Sequence, residues 1–150
     1  MPHSCTSLFY HIVFSTKDRY PFLTLDVRPR VFDYLGGAIR SEDGTSFVVN
    51  GVADHVHILA RLRQDKAISD VLRDIKANSS GWIHNNFPGL SKFAWQTGYA
   101  AFTASKSQLG VVQRYIANQE AHHEKVSFQE ELIALLKAHE IEFDEKYLWT

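Results

Sequence analysis

A single cysteine, Cys5, stands in 150 residues. Without a second thiol the chain cannot close an internal disulfide or build a cysteine-rich zinc site. A reducing, cytoplasmic setting is therefore the expectation, and any metal must rest on histidine, amide or carboxylate donors. Apolar runs of membrane-spanning length are also missing: the longest are broken by His, Asn or a charge, and nothing reads as a signal peptide. No membrane association is expected. Repeats and low-complexity stretches are absent too, which argues against a solenoid or a linker-joined pair and for one domain over 1–150. Net charge is nearly lacking, at −1.

What is present begins with a 45% hydrophobic composition, enough for a real core. The near-zero charge hides an asymmetry, with residues 1–119 carrying +4 and residues 120–150 carrying −5. Basic side chains gather as Lys17/Arg19, Arg28/Arg30, Arg61/Arg63/Lys66 and Arg73/Lys76. Such groups suffice for a local phosphate-binding surface, although ordinary solvated charge reads the same way.

Alternation over Ser7–Thr16, with Leu8, Tyr10, Ile12 and Phe14 on one face, predicts a first strand. Residues 25–40 carry Leu25, Val31, Phe32, Leu35 and Ile39 at helical spacing, with regular helix starting near Pro29. Two β-branched runs, 47–53 and 55–62, read as adjacent strands turning at Ala53-Asp54. A second helix spans about 68–87 and stops at Pro88-Gly89. Phe93–Trp95 with Tyr99–Phe102 reads as a fourth strand bulged at Gly98. The order is the βαββαβ, ferredoxin-like plan: an α+β antiparallel sheet with helices on one face. Two helices follow, about 107–122 and 128–139, the second opened by a capping box, Ser127 with Glu130.

Two phrases carry chemistry. His55-Val56-His57 lies in a strand, whose side-chain period of two sends both imidazoles to one face. Tyr115 and Gln119, four apart, share a helix face. Two imidazoles and an amide oxygen can hold a divalent ion, and mixed nitrogen and hard oxygen donors suit Mg²⁺ or Mn²⁺. A phenol beside that ion is a candidate nucleophile for phosphate, provided a cation or a base removes its proton. Asp54 can serve His55 as a partner, although a turn residue is the favoured reading. His122, seven residues past Tyr115, can share its face as a base or outer-shell group, although exposed histidines at a helix end are the simpler account of His122 and His123. Phe93, Trp95 and Tyr99 can stack on bases, but core packing is the expectation for Phe93 and Trp95.

With these residues in place, the chain resembles the single-tyrosine HUH transposases of bacterial insertion sequences, the insertion-sequence-200-like group. The likeness runs through His11–Lys17, Asp54–His57, Trp95–Tyr99, Tyr115–His123 and Phe128–Glu131. It implies metal ligation by His55, His57 and Gln119 and a nucleophilic Tyr115. It implies cleavage and rejoining of single-stranded DNA at hairpin-containing ends through a 5′-phosphotyrosine. It also implies a homodimer in which one subunit's tyrosine helix meets the other's histidines, with Gly110 as a possible pivot. Arg61, Arg63, Lys66, Arg73 and Lys76 are the candidate DNA contacts. Three rivals stand: a domesticated palindrome-processing relative with the same chemistry, a hairpin-binding module without catalysis, and a small-molecule metal hydrolase that leaves Tyr115 idle.

Overall fold

A computed structural model describes residues 3–149. The elements are β1 (Phe9–Ser15), α1 (Arg28–Ser41), β2 (Thr45–Gly51), β3 (His55–Arg61), α2 (Ile68–Asn86), β4 (Ala100–Ala104), α3 (Leu109–Ala117), α4 (Gln119–His122), α5 (Phe128–Ala138) and α6 (Glu145–Leu148). The sheet runs β2-β3-β1-β4, and every neighbouring pair is antiparallel. This is the ferredoxin-like arrangement that the strand–helix order predicts.

Both central strands are buried on both sides, so the sheet is the middle layer. On one face Ile12, Phe14, Val56 and Ile58 meet Val31, Leu35 and Ile39 of α1 and Val71, Leu72 and Ile75 of α2. On the other, Val13 and Phe102 meet Phe128, Leu132 and Leu136 of α5. That second face also receives α3, whose Ile116 is fully buried. Register then decides the chemistry. Ser15 opposes His55, Val13 opposes His57 and His11 opposes Leu59, so His11, His55 and His57 all project toward α3 and α5.

The β2–β3 turn is tight. A Cβ on Gly51 would lie 2.2 Å from the carbonyl oxygen of His55, so only glycine lets β2 come this close to the first imidazole-bearing residue. Two elements differ from the sequence reading. The fourth strand is Ala100–Ala104 alone, and Trp95 makes only an isolated bridge to Thr16. Lys76 Nζ explains this by collecting the carbonyls of Gln96 (2.6 Å), Thr97 (3.3 Å) and Gly98 (2.7 Å), which turns them away from the ladder. Phe93 and Trp95 bury in the core as expected, each edge-on to the other at 4.8 Å. The tyrosine helix, expected to be continuous over 107–122, breaks at Asn118 (φ −95°, ψ 18°). Asn50 Nδ2 caps its end from β2, donating to the carbonyls of Ile116 (3.0 Å) and Ala117 (3.2 Å). The capping box at Ser127 and Glu130 forms as read.

Candidate functional site

β3 delivers two imidazoles, each anchored through its Nδ1. His55 Nδ1 donates to Asp54 Oδ1 at 2.8 Å. Asp54 is thus more than the turn residue favoured above: it fixes the ring's orientation and leaves Nε2 facing Gln119 and Glu131. His57 Nδ1 meets His11 Nε2 at 2.7 Å, the two rings sharing one proton. Burial, then the charge on His57, pushes His11 down to about 3, so it stays neutral. Burial also lowers His57. His55 goes the other way, because Asp54 and Glu131 outweigh the burial that opposes its charge.

The α3–α4 segment brings Tyr115 and Gln119 over these rings. The Tyr115 ring lies 5.9 Å from that of His57 and 6.0 Å from that of His11, centroid to centroid. Gln119 is fully buried and places Oε1 3.3 Å from His55 Nε2. The four residues singled out in the sequence therefore converge within one chain.

Two further groups complete the cluster. His123, read above more simply as an exposed helix-end histidine, is turned inward. Its Nδ1 donates to the Val126 carbonyl at 2.6 Å, and its Nε2 lies 2.9 Å from Gln119 Oε1 and 3.0 Å from Glu131 Oε1. His122 stays partly exposed, with Nε2 3.3 Å from Glu131 Oε2 but not aligned to bond it.

Glu131 of α5 is the centre of the site, and sequence reasoning passed over it. Its side chain is 1% exposed. Oε1 faces Nε2 of His57 at 2.9 Å and of His55 at 3.2 Å, while Oε2 accepts from Gln119 Nε2 at 3.0 Å and from the Tyr115 hydroxyl. Burial would raise this carboxyl, but hydrogen bonds from His123, His55 and His57 hold it well below the usual carboxylate range. The same contact works against Tyr115: burial, then Glu131, pushes the phenol well above its ordinary value. A signal for Glu131 existed, because it falls on the apolar stripe Phe128-Leu132-Leu135 of a capped helix, where a charge must find partners.

The five candidate DNA-contacting cations lie apart from this cluster, and each has a partner. Arg61 leans on Thr45 Oγ1 at 3.4 Å, and Arg63 binds Asp65 and Asp43. Lys66 bridges Glu42 (2.7 Å) and Asp74 (2.9 Å), and Arg73 pairs with Asp70 at 3.0 Å. Lys76 is tied to the 96–98 carbonyls, and burial pushes its ammonium down to about 8. Arg73 and Lys76, with Trp95, Gln96 and Tyr99, line an open groove of about 360 Å³.

On a ferredoxin-like sheet, a strand-borne histidine pair thus faces a helix-borne tyrosine and glutamine. The chain belongs to the IS200-like transposase family, whose sequence model matches residues 4–119. It is 27% identical over 118 residues to the ISDra2 transposase TnpA of Deinococcus radiodurans, a match covering 75% of this chain and 84% of that protein. Its fold is similar to that of a candidate transposase from Deinococcus radiodurans R1, with a TM-score of 0.64, 24% identity and coverage of 78% and 95%. It is also similar to that of a REP-associated tyrosine transposase bound to a REP hairpin, with a TM-score of 0.59, 16% identity and coverage of 84% and 76%. Among the described residues no helix is long and apolar enough to cross a membrane.

Proposed function

We propose that this protein is a metal-dependent transposase that cleaves and rejoins single-stranded DNA at hairpin-containing ends, using Tyr115 as nucleophile. The observation that carries the reading is the bond from the Tyr115 hydroxyl to Glu131, a carboxylate that also touches both histidines of the pair.

The donor set fits a cation. His55 turns Nε2 toward the oxygens of Gln119 and Glu131, a buried set of one imidazole nitrogen and two oxygens that matches a cation's donors. His55, His57 and Gln119 would hold Mg²⁺ or Mn²⁺, which when bound supplies Lewis acidity toward a non-bridging phosphate oxygen.

The chain's own residues do the rest. Tyr115 stays protonated at neutral pH, so its proton must leave as the oxygen attacks. Glu131 Oε2 already accepts that proton's hydrogen bond and relays the proton to solvent, its own carboxyl being held well below the usual range. The phenol oxygen then bonds to phosphorus and the bond to the 3′-oxygen breaks. The 3′-oxygen leaves as a hydroxyl after protonation from solvent, and the 5′-phosphate stays on Tyr115. Attack by another 3′-hydroxyl reverses the step, and the phosphotyrosyl link conserves the bond energy. Gln119 is fully buried against α5 and Tyr115 partly so, which limits the access of water that would otherwise hydrolyse that link.

Hairpin phosphates would bind along Arg61, Arg63, Lys66, Arg73 and Lys76, competing with the carboxylates and carbonyls that these cations hold now. The resemblance to the REP-hairpin-bound structure favours a second reading, a palindrome-processing relative with the same active-site chemistry. A panel of substrates, insertion-sequence ends against chromosomal palindromes, separates the two. The homodimer implied by the family belongs to this reading, but Tyr115 lies against the histidines of its own chain, in place of the exchanged helix that the resemblance implies.

A labelled single-stranded hairpin incubated with the protein and Mn²⁺ tests the proposal. A covalent adduct that survives denaturation is expected, lost in Tyr115→Phe while hairpin binding persists. Tight binding with no adduct would leave a non-catalytic hairpin module instead.

A further inference from the structure

The family match ends at residue 119, yet two side chains beyond it stand inside the site. His55, His57, His123 and Glu131 each offer one donor atom, and these atoms all lie within 4.8 Å of one another. Hydrogen bonds at the outer edge fix the ring orientations. His55 commits its Nδ1 proton to Asp54, and His123 commits its own to the Val126 carbonyl. Both Nε2 atoms therefore point inward.

What they meet are oxygens. Glu131 Oε1 lies 3.2 Å from His55 Nε2 and 3.0 Å from His123 Nε2. Gln119 Oε1 lies 3.3 Å and 2.9 Å from the same two nitrogens. Gln119 Nε2 donates to Glu131 Oε2, which leaves its Oε1 facing these nitrogens. Protons on these nitrogens satisfy the oxygens, and a divalent cation seated among the same buried atoms can take their place. One divalent cation satisfies all of them together. Donors at about 2.1 Å from an ion lie at most about 4.2 Å apart, so the observed cluster needs only a slight contraction.

We propose that His123 and Glu131 are ligands of the same cation as His55 and His57, so that the C-terminal segment supplies part of the metal site. The inference rests on the metal-dependent reading above. Glu131 acts through Oε1 and leaves Oε2 to Tyr115. His57 is oriented by His11, and His55 by Asp54. Three imidazoles and a carboxylate form a nitrogen-rich set, which favours Mn²⁺ or a later transition metal over Mg²⁺, an ion that keeps to oxygen and water.

The test is titration of the full chain with Mn²⁺, following the free ion by electron paramagnetic resonance, with circular dichroism to confirm folding. The variants are Glu131→Gln and His123→Gln, with His57→Ala as control. The unaltered protein should bind one Mn²⁺ that equimolar Mg²⁺ does not displace. Each glutamine variant should bind it about 10–100-fold more weakly. Unchanged affinity in both glutamine variants, with binding lost in His57→Ala, would overturn the proposal and leave the metal-dependent reading standing. No binding by the unaltered protein would overturn both, and ready displacement by Mg²⁺ would overturn the assigned preference. Should Glu131→Gln fail to fold, His123→Gln decides by the same readings.

Discussion

Tyr115 shows the constraint at the scale of a single residue. Burial and the adjoining Glu131 disfavour its phenolate, so the proton must move to a base during attack. Glu131→Gln should therefore cut adduct formation by about 10²–10⁴-fold while hairpin binding holds, as read by single-turnover cleavage against a gel-shift titration. Asp54 acts one shell out. Asp54→Asn should weaken Mn²⁺ binding about 10–100-fold without unfolding the protein, measured by calorimetry. His11 gives a pH signature. Folded His11 protonates near 3 and the unfolded residue near 6.5, so between these values the unfolded state binds the extra proton. Stability falls as pH drops through that window and is fully present above it, with a slope of at most about 1.4 kcal/mol per pH unit from this one group. His57 shifts in the same direction and His55 opposes. Urea midpoints between pH 7 and pH 4 should decline less steeply in His11→Gln; an equal decline would remove His11 from the account.

At the scale of elements, the parts that were legible are those with local causes. Period-two apolar residues in β1 and β3 place the histidines, and Ser127 with Glu130 starts α5 where the sequence said it would. The break at Asn118 and the shortened fourth strand were not legible, because their causes, Asn50 and Lys76, are 68 and about 20 residues away in the chain. Glu131 was missed for a similar reason. Its partners come from β3 and α4, and only the folded sheet brings them to α5. Asn50 offers the direct check. Asn50→Ala leaves two carbonyls at the end of the tyrosine helix without their side-chain donor. It should cost about 1 kcal/mol in denaturant unfolding and slow cleavage more than it weakens hairpin binding.

For the whole molecule, the sheet separates two tasks. One face, packed by α1 and α2, is an apolar core; the other, covered by α3, α4 and α5, is where the imidazoles, the phenol and Glu131 meet. Charge divides along the chain as well, since the acidic segment after residue 119 supplies Glu131 while most of the basic side chains lie before it. Because Tyr115 reaches the histidines of its own chain, a mixture of Tyr115→Phe and His57→Ala proteins should stay inactive. Recovery of cleavage in that mixture would show that the working site is shared between subunits.

The most direct measurement is peptide mass mapping of protein treated with Mn²⁺ and a single-stranded hairpin substrate. The account predicts a 5′-phosphorylated DNA remnant on the phenol of Tyr115. A remnant on any other residue, or undiminished cleavage by Tyr115→Phe, would contradict it.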